Sequence, residues 1–168
     1  KATASDWSLE NGLIVGRGRE NRLSYLVWED EELADFELKL SYRLRTKGNT
    51  GIEIRSQKDT TGKRPFEGYH ADLGHVGIGP HILGAWDFHF AKRAEPGCQR
   101  GTKLVIDPDG QLDRSKVADA FTLEDIQQRD WNEVHIIARG QHFQFFINGK
   151  LASEFTDNHK ERPLKRGA

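Results

Sequence analysis

The chain has 168 residues, a formal net charge of −1, and hydrophobic and charged fractions of 36% and 30%. That is enough chain to enclose one core, and no apolar run approaches the ~18 residues that a membrane-spanning helix needs. Basic and acidic side chains are interspersed without the basic stripe of a nucleic-acid binder. Cys98 is the only cysteine, so no intrachain disulfide can close.

In chain order the dominant signal is a period of two. The turn signal Asn11-Gly12 precedes short strand candidates at residues 13–15 and 25–28. In residues 35–44 the apolar positions are Phe36, Leu38, Leu40, Tyr42 and Leu44. A half-buried strand requires this alternation, because successive side chains point to opposite faces. Residues 51–56, 69–73, 103–106, 133–139, 143–147 and 151–155 read as further strands. Asn148-Gly149 between the last two is a strong hairpin signal, since both residues tolerate positive φ. One short helix is expected from Thr122, whose spacing to Asp125 suits a capped start, to about Gln128. It lies in a long connection, residues 95–130, which carries little strand pattern; connections of that length often line or cover a site. Many short strands with hairpin turns predict a single all-β domain over residues 1–168, a sandwich or barrel rather than βαβ units.

Four segments give the chain a family likeness. They are the alternating run at residues 35–43, the stretch Gly48-Asn49-Thr50-Gly51-Ile52-Glu53-Ile54-Arg55-Ser56, and Gly68-Tyr69-His70-Ala71-Asp72-Leu73-Gly74. The fourth runs from Trp131-Asn132 through Gly140 to Ile147-Asn148-Gly149 and Phe155-Thr156-Asp157. In this order they resemble the 3-keto-disaccharide hydrolase family, with its Gly-Ile-x-x-Arg and Gly-Tyr-x-x-Asp strands. The resemblance implies a two-sheet antiparallel jelly roll of the concanavalin A-like lectin/glucanase type, exported to the periplasm or beyond by glycan-degrading bacteria. It also implies a saccharide ligand carrying a ketone at C3. Two departures stand out. Trp86-Asp87 is followed by Phe88 and His89 where the family usually has an acidic residue. The family also continues for one or two strands past the stretch matching residues 164–167; either a second chain or fragment supplies them, or the gene product is cut, or the resemblance fails there.

Candidate site residues follow from alternation and from the likeness. Glu53 and Arg55 alternate with Ile52 and Ile54, so both are expected on the face away from the core. The resemblance makes that face the concave sheet, with Arg55 holding a ligand oxygen and Glu53 positioning it or moving a proton. His70 and Asp72 share one face of the next strand, and four ionisable groups on a small patch would supply an acid and a base. Asn49, Tyr69, Trp86, Asp87 and Asn132 are expected to contact substrate, although alternation alone sends Tyr69 toward the core. His89 and His135 stay open between site and surface. His70, His75, His81 and His89 lack tight zinc-site spacing; no cofactor is expected, while two or three of them meeting Asp72 leave a divalent metal open. Cys98 has no evident activating partner.

Three functions compete. The favoured one is an enzyme cleaving 3-keto-glycosides by general acid–base chemistry. The alternatives are a non-catalytic lectin-like module and a glycosidase working through two carboxylates. Converging ionisable groups in a cleft would mark an enzyme, and a shallow aromatic platform would mark a lectin.

Overall fold

A computed structural model describes residues 6–19, 23–93, 97–161 and 163–168. Its strands are β1 (Trp7–Glu10), β2 (Leu13–Gly16), β3 (Phe36–Tyr42), β4 (Gly51–Lys58), β5 (Phe66–Asp72) and β6 (Trp86–His89). They continue as β7 (Thr102–Ile106), β8 (Leu112–Lys116), β9 (Asn132–Arg139), β10 (His142–Ile147) and β11 (Lys150–Asp157). A six-stranded sheet has the order β3-β9-β10-β11-β7-β8, a three-stranded sheet the order β4-β5-β6, and β1 pairs with β2 in a separate hairpin. The two larger sheets stack as a jelly-roll sandwich, with every pair antiparallel except β11 against β7.

Alternation explains the stacking. The six-stranded sheet turns Val134, Ile136 and Ala138 of β9, Phe143, Phe145 and Ile147 of β10, and Phe155 of β11 inward, all essentially without exposure. The three-stranded sheet answers with Tyr69, Trp86 and Phe88. Phe155 lies 5.0 Å from Tyr69, 5.2 Å from Trp86 and 4.6 Å from Phe88, ring centre to ring centre. Each such ring contributes about 1.5–3 kcal/mol by burial, so this contact between sheets dominates the core.

The turn expected at Asn11-Gly12 and the hairpin expected at Asn148-Gly149 both form, with φ of 51° and 78° at the first and 50° and 79° at the second. Other readings change. Residues 25–28 form no strand. The expected helix is a single 3-10 turn, Leu123–Asp125, with the Thr122–Asp125 capping box in place. It ends early because Ile126 is extended and the Asn132 side chain binds both the N–H and the carbonyl of Gln127. The long connection, whose start at residues 95–96 lies outside the described residues, holds the β7–β8 hairpin. β8 escapes pattern reading because all of its residues are exposed and carry no alternation.

The largest departure is in β4. Register shifts between Ile54 and Gln57, and Arg55 takes φ 49°, a bulge that turns both Ile54 and Arg55 inward. Arg55 is 1% exposed. Its Nε donates to Ala34 O at 2.9 Å, and Nη1 donates to Gly140 O at 2.7 Å and Leu164 O at 3.1 Å. Nη2 reaches Asp35 Oδ1 at 3.3 Å, and the guanidinium stacks over Phe143. The expectation that Arg55 shares the face of Glu53 is therefore corrected: the bulge flips it into the core, where it ties three loops together. Among the described residues, no helix is long and apolar enough to cross a membrane.

Candidate active site on the three-stranded sheet

The face of the three-stranded sheet away from the core carries most of the candidate site residues. Pairing sets Glu53 beside His70 and His70 beside Asp87 in one row across the sheet. The flanking rows pair Gly51 with Asp72 and Gly68 with His89. Two glycines open this surface. A Cβ at Gly51 would lie 2.4 Å from the His70 ring, and one at Gly68 would lie 2.7 Å from Glu53 Cγ. Without side chains there, Glu53 reaches diagonally across Gly68 and accepts from His89, Oε2 to Nδ1, at 3.2 Å. The His70 and His89 rings stack at 4.7 Å with 19° between planes. His70 Nδ1 lies 3.5 Å from Asp72 Oδ1 but makes no hydrogen bond.

The cluster is enclosed yet incompletely paired. The side chains of Glu53 and Asp72 are 7% and 2% exposed, while Glu53 Oε1, His70 Nδ1 and Asp72 Oδ2 are buried without a hydrogen-bond partner among the described residues. Buried polar atoms are normally satisfied, so such a concentration of orphans needs a reason. Burial also sets the protonation states. Desolvation, with His89 and Arg64 adding repulsion, holds the His70 imidazolium down to about 3. Desolvation followed by the neighbouring Asp87 carboxyl pushes Asp72 up to about 8. Both shifts favour the uncharged forms, so burial works against an ion pair between His70 and Asp72. Tyr25 reaches the edge of the cluster: its ring packs edge-on against Phe66 at 5.3 Å. Its hydroxyl is shifted upward by burial and by the charge of Glu53.

The site thus unites Glu53, His70, Asp72 and Asp87 with His89. Four other expected contacts lie elsewhere. Arg55 is in the core. Tyr69, fully buried, donates its hydroxyl proton to Asp157 Oδ2 at 2.6 Å and accepts from Leu164 N at 3.2 Å. Trp86 is fully buried among Phe143, Phe145 and Phe155. Asn132 is spent on Gln127, Asp130 and Asn148, so it staples a turn. Strict alternation is the common reason for Tyr69 and Trp86, since both occupy the opposite phase to His70 and Asp87. Asn49 is exposed on the loop before β4, its side chain near Gly74 just beyond Asp72. His75 is fixed to the Gly48 backbone, and His135 sits on the other sheet against Glu37 and Phe146. His89 is the group the sequence left open. The spacing Asp87-x-His89, parallel to His70-x-Asp72, is the signal that places both on one strand face.

One ligand atom from each of His70, Asp87 and His89 lies within 4.8 Å of the others, close enough for a shared metal ion. A cavity of about 290 Å³ lined by Gln57, Glu67, Phe90, Lys92, Arg93, Pro163 and Leu164 is a separate feature. Glu67 and Phe90 are in phase with Tyr69 and Phe88, so it opens on the core side of these strands.

Fold and candidate site together define a jelly-roll sandwich whose smaller sheet presents a compact cluster of ionisable side chains. The chain belongs to the 3-keto-alpha-glucoside-1,2-lyase-like domain family, whose model matches residues 1–167. No curated protein matches it significantly. Two crystal structures from Parabacteroides distasonis, each provisionally described as a glycosyl hydrolase, share the fold. One has a TM-score of 0.58 and 17% identity, covering 92% of this chain and 64% of its own. The other has a TM-score of 0.52 and 15% identity, covering 90% and 62%. The chain therefore spans less than two thirds of either neighbour.

Proposed function

We propose that this domain is a carbohydrate-active enzyme that cleaves 3-keto-glycosides by elimination on the exposed face of the three-stranded sheet. The observation that carries the reading is the convergence of Glu53, His70, Asp72, Asp87 and His89 on that one face. Family membership supports the substrate class, and it supports an exported bacterial protein with a saccharide as its partner. A ketone at C3 acidifies the proton on C2. Glu53, held at Oε2 by His89 with Oε1 free, takes that proton, and the C2–H electrons pass into the enolate. The C1–O bond then breaks, and Asp72 protonates the departing oxygen. The product is an enone with a C1=C2 double bond, and addition of water across it completes a net hydrolysis.

A binding module without turnover would stack sugars on an aromatic platform. The rings of Tyr69, Trp86 and Phe88 all face the core, which favours catalysis. The test is turnover of 3-keto-trehalose and 3-keto-glucosides beside the unoxidised sugars. Cleavage of the keto sugars alone is expected; binding without cleavage would restore the lectin-like reading.

A further inference from the structure

The enolate formed at C3 needs a positive or hydrogen-bonding partner, and Arg55, buried on the other side of the sheet, cannot supply one. We infer that His70, Asp87 and His89 form a binding site for a first-row divalent metal ion such as Zn²⁺, Mn²⁺ or Co²⁺. The inference rests on the proposed function for its role in catalysis, but not for its geometry.

Three observations carry it. The three donor atoms already lie within 4.8 Å of one another, and they come from two adjacent strands whose pairing fixes them. Two imidazoles with one carboxylate suit borderline transition-metal ions rather than Mg²⁺ or Ca²⁺, which prefer all-oxygen sites. Second, one of the histidines carries a carboxylate behind it: Glu53 Oε2 sits 3.2 Å from His89 Nδ1. An ionised carboxylate only accepts, so it fixes the proton of His89 on Nδ1 and leaves the lone pair on Nε2 for a metal. Metal-bound histidines are oriented by such carboxylates. Third, Glu53 Oε1 and Asp72 Oδ2 are oxygens without a hydrogen-bond partner among the described residues, on side chains more than nine-tenths buried in the same cluster. A cation and its bound water would give them partners. Gly51 and Gly68 make room for the His70 ring and the Glu53 side chain to lie across the strands beside the donors. When bound, the ion would act as a Lewis acid for a substrate oxygen.

The site is tested on the whole chain, stripped with chelator and titrated with Co²⁺ while heat and the visible absorption of the bound ion are recorded. One ion per chain is expected. His70→Ala and His89→Ala should each weaken binding more than ~100-fold, and Glu53→Gln, which acts through His89, by ~10–100-fold. Asp87 is exposed, so Asp87→Asn gives a variant whose fold is not at risk, and it should weaken binding comparably. His135→Ala, on the other sheet, should leave binding unchanged. Absence of stoichiometric binding, or affinity unmoved in Asp87→Asn and His89→Ala, would overturn the site. Turnover of keto sugars in metal-free protein that binds no Co²⁺ would overturn the site alone. Stoichiometric binding in a protein inert toward keto sugars would uphold the site and overturn the function.

Discussion

Glu53 and Arg55 stand two residues apart on β4, and their surroundings are opposites. Arg55 is a buried cation with every direction used: three backbone carbonyls, one carboxylate and an aromatic face. Glu53 is enclosed almost as deeply, yet it keeps one bonded oxygen and one orphan. A saturated buried charge holds a structure together, whereas an unsaturated one held in place by its neighbours is poised to act on something that arrives. Deep burial of a charged group is common to both, so the count of its partners is what separates scaffold from site.

The contrast can be broken first at Arg55. Arg55→Ala strips the partners from Ala34, Gly140 and Leu164 and removes the stack on Phe143. It should cost about 3–5 kcal/mol, read as a shift in the denaturant midpoint. Glu53→Gln should leave that midpoint within about 1 kcal/mol of the parent. Equal losses in the two variants would erase the distinction. A smaller effect is expected at Tyr69. Tyr69→Phe deprives buried Asp157 and Leu164 N of a partner and should cost about 1–3 kcal/mol. It should leave the substrate KM unchanged, whereas a raised KM would return Tyr69 to the site. The smallest effect lies in the loop joining β4 to β5. The Asp59 carboxylate accepts from Thr61 N, the Thr61 hydroxyl and Arg64 N, which lowers it from 3.8 to about 2. A lowered folded value means stability present above 3.8 and lost as pH falls toward 2. Parent and Asp59→Asn melting temperatures should therefore differ slightly at neutral pH and converge through that window.

Much of this was legible from alternation. The phase of residues 35–44 and 133–155 yields four strands of the larger sheet, and His70-x-Asp72 places two of the candidate site residues on one face. Arg55 was not legible, because a bulge at a non-glycine residue leaves no turn signal, and one inserted residue reverses the face of all that follow. Tyr69 and Trp86 show where a family likeness and the strand phase disagree; their burial follows the phase. β8 and the shortened helix were hidden for a different reason. An exposed, charged edge strand has no apolar period, and the helix is cut short by Asn132, whose side chain captures Gln127 from five residues away.

The most direct test of the account is to follow a 3-keto-glucoside by proton NMR in heavy water with the parent and with Glu53→Gln. The account predicts that cleavage by the parent removes or exchanges the C2 proton, and that Glu53→Gln slows both events together by about 10²–10⁴-fold. Cleavage that keeps the C2 proton in the product, or a Glu53→Gln variant as fast as the parent, would contradict elimination at this face of the sheet.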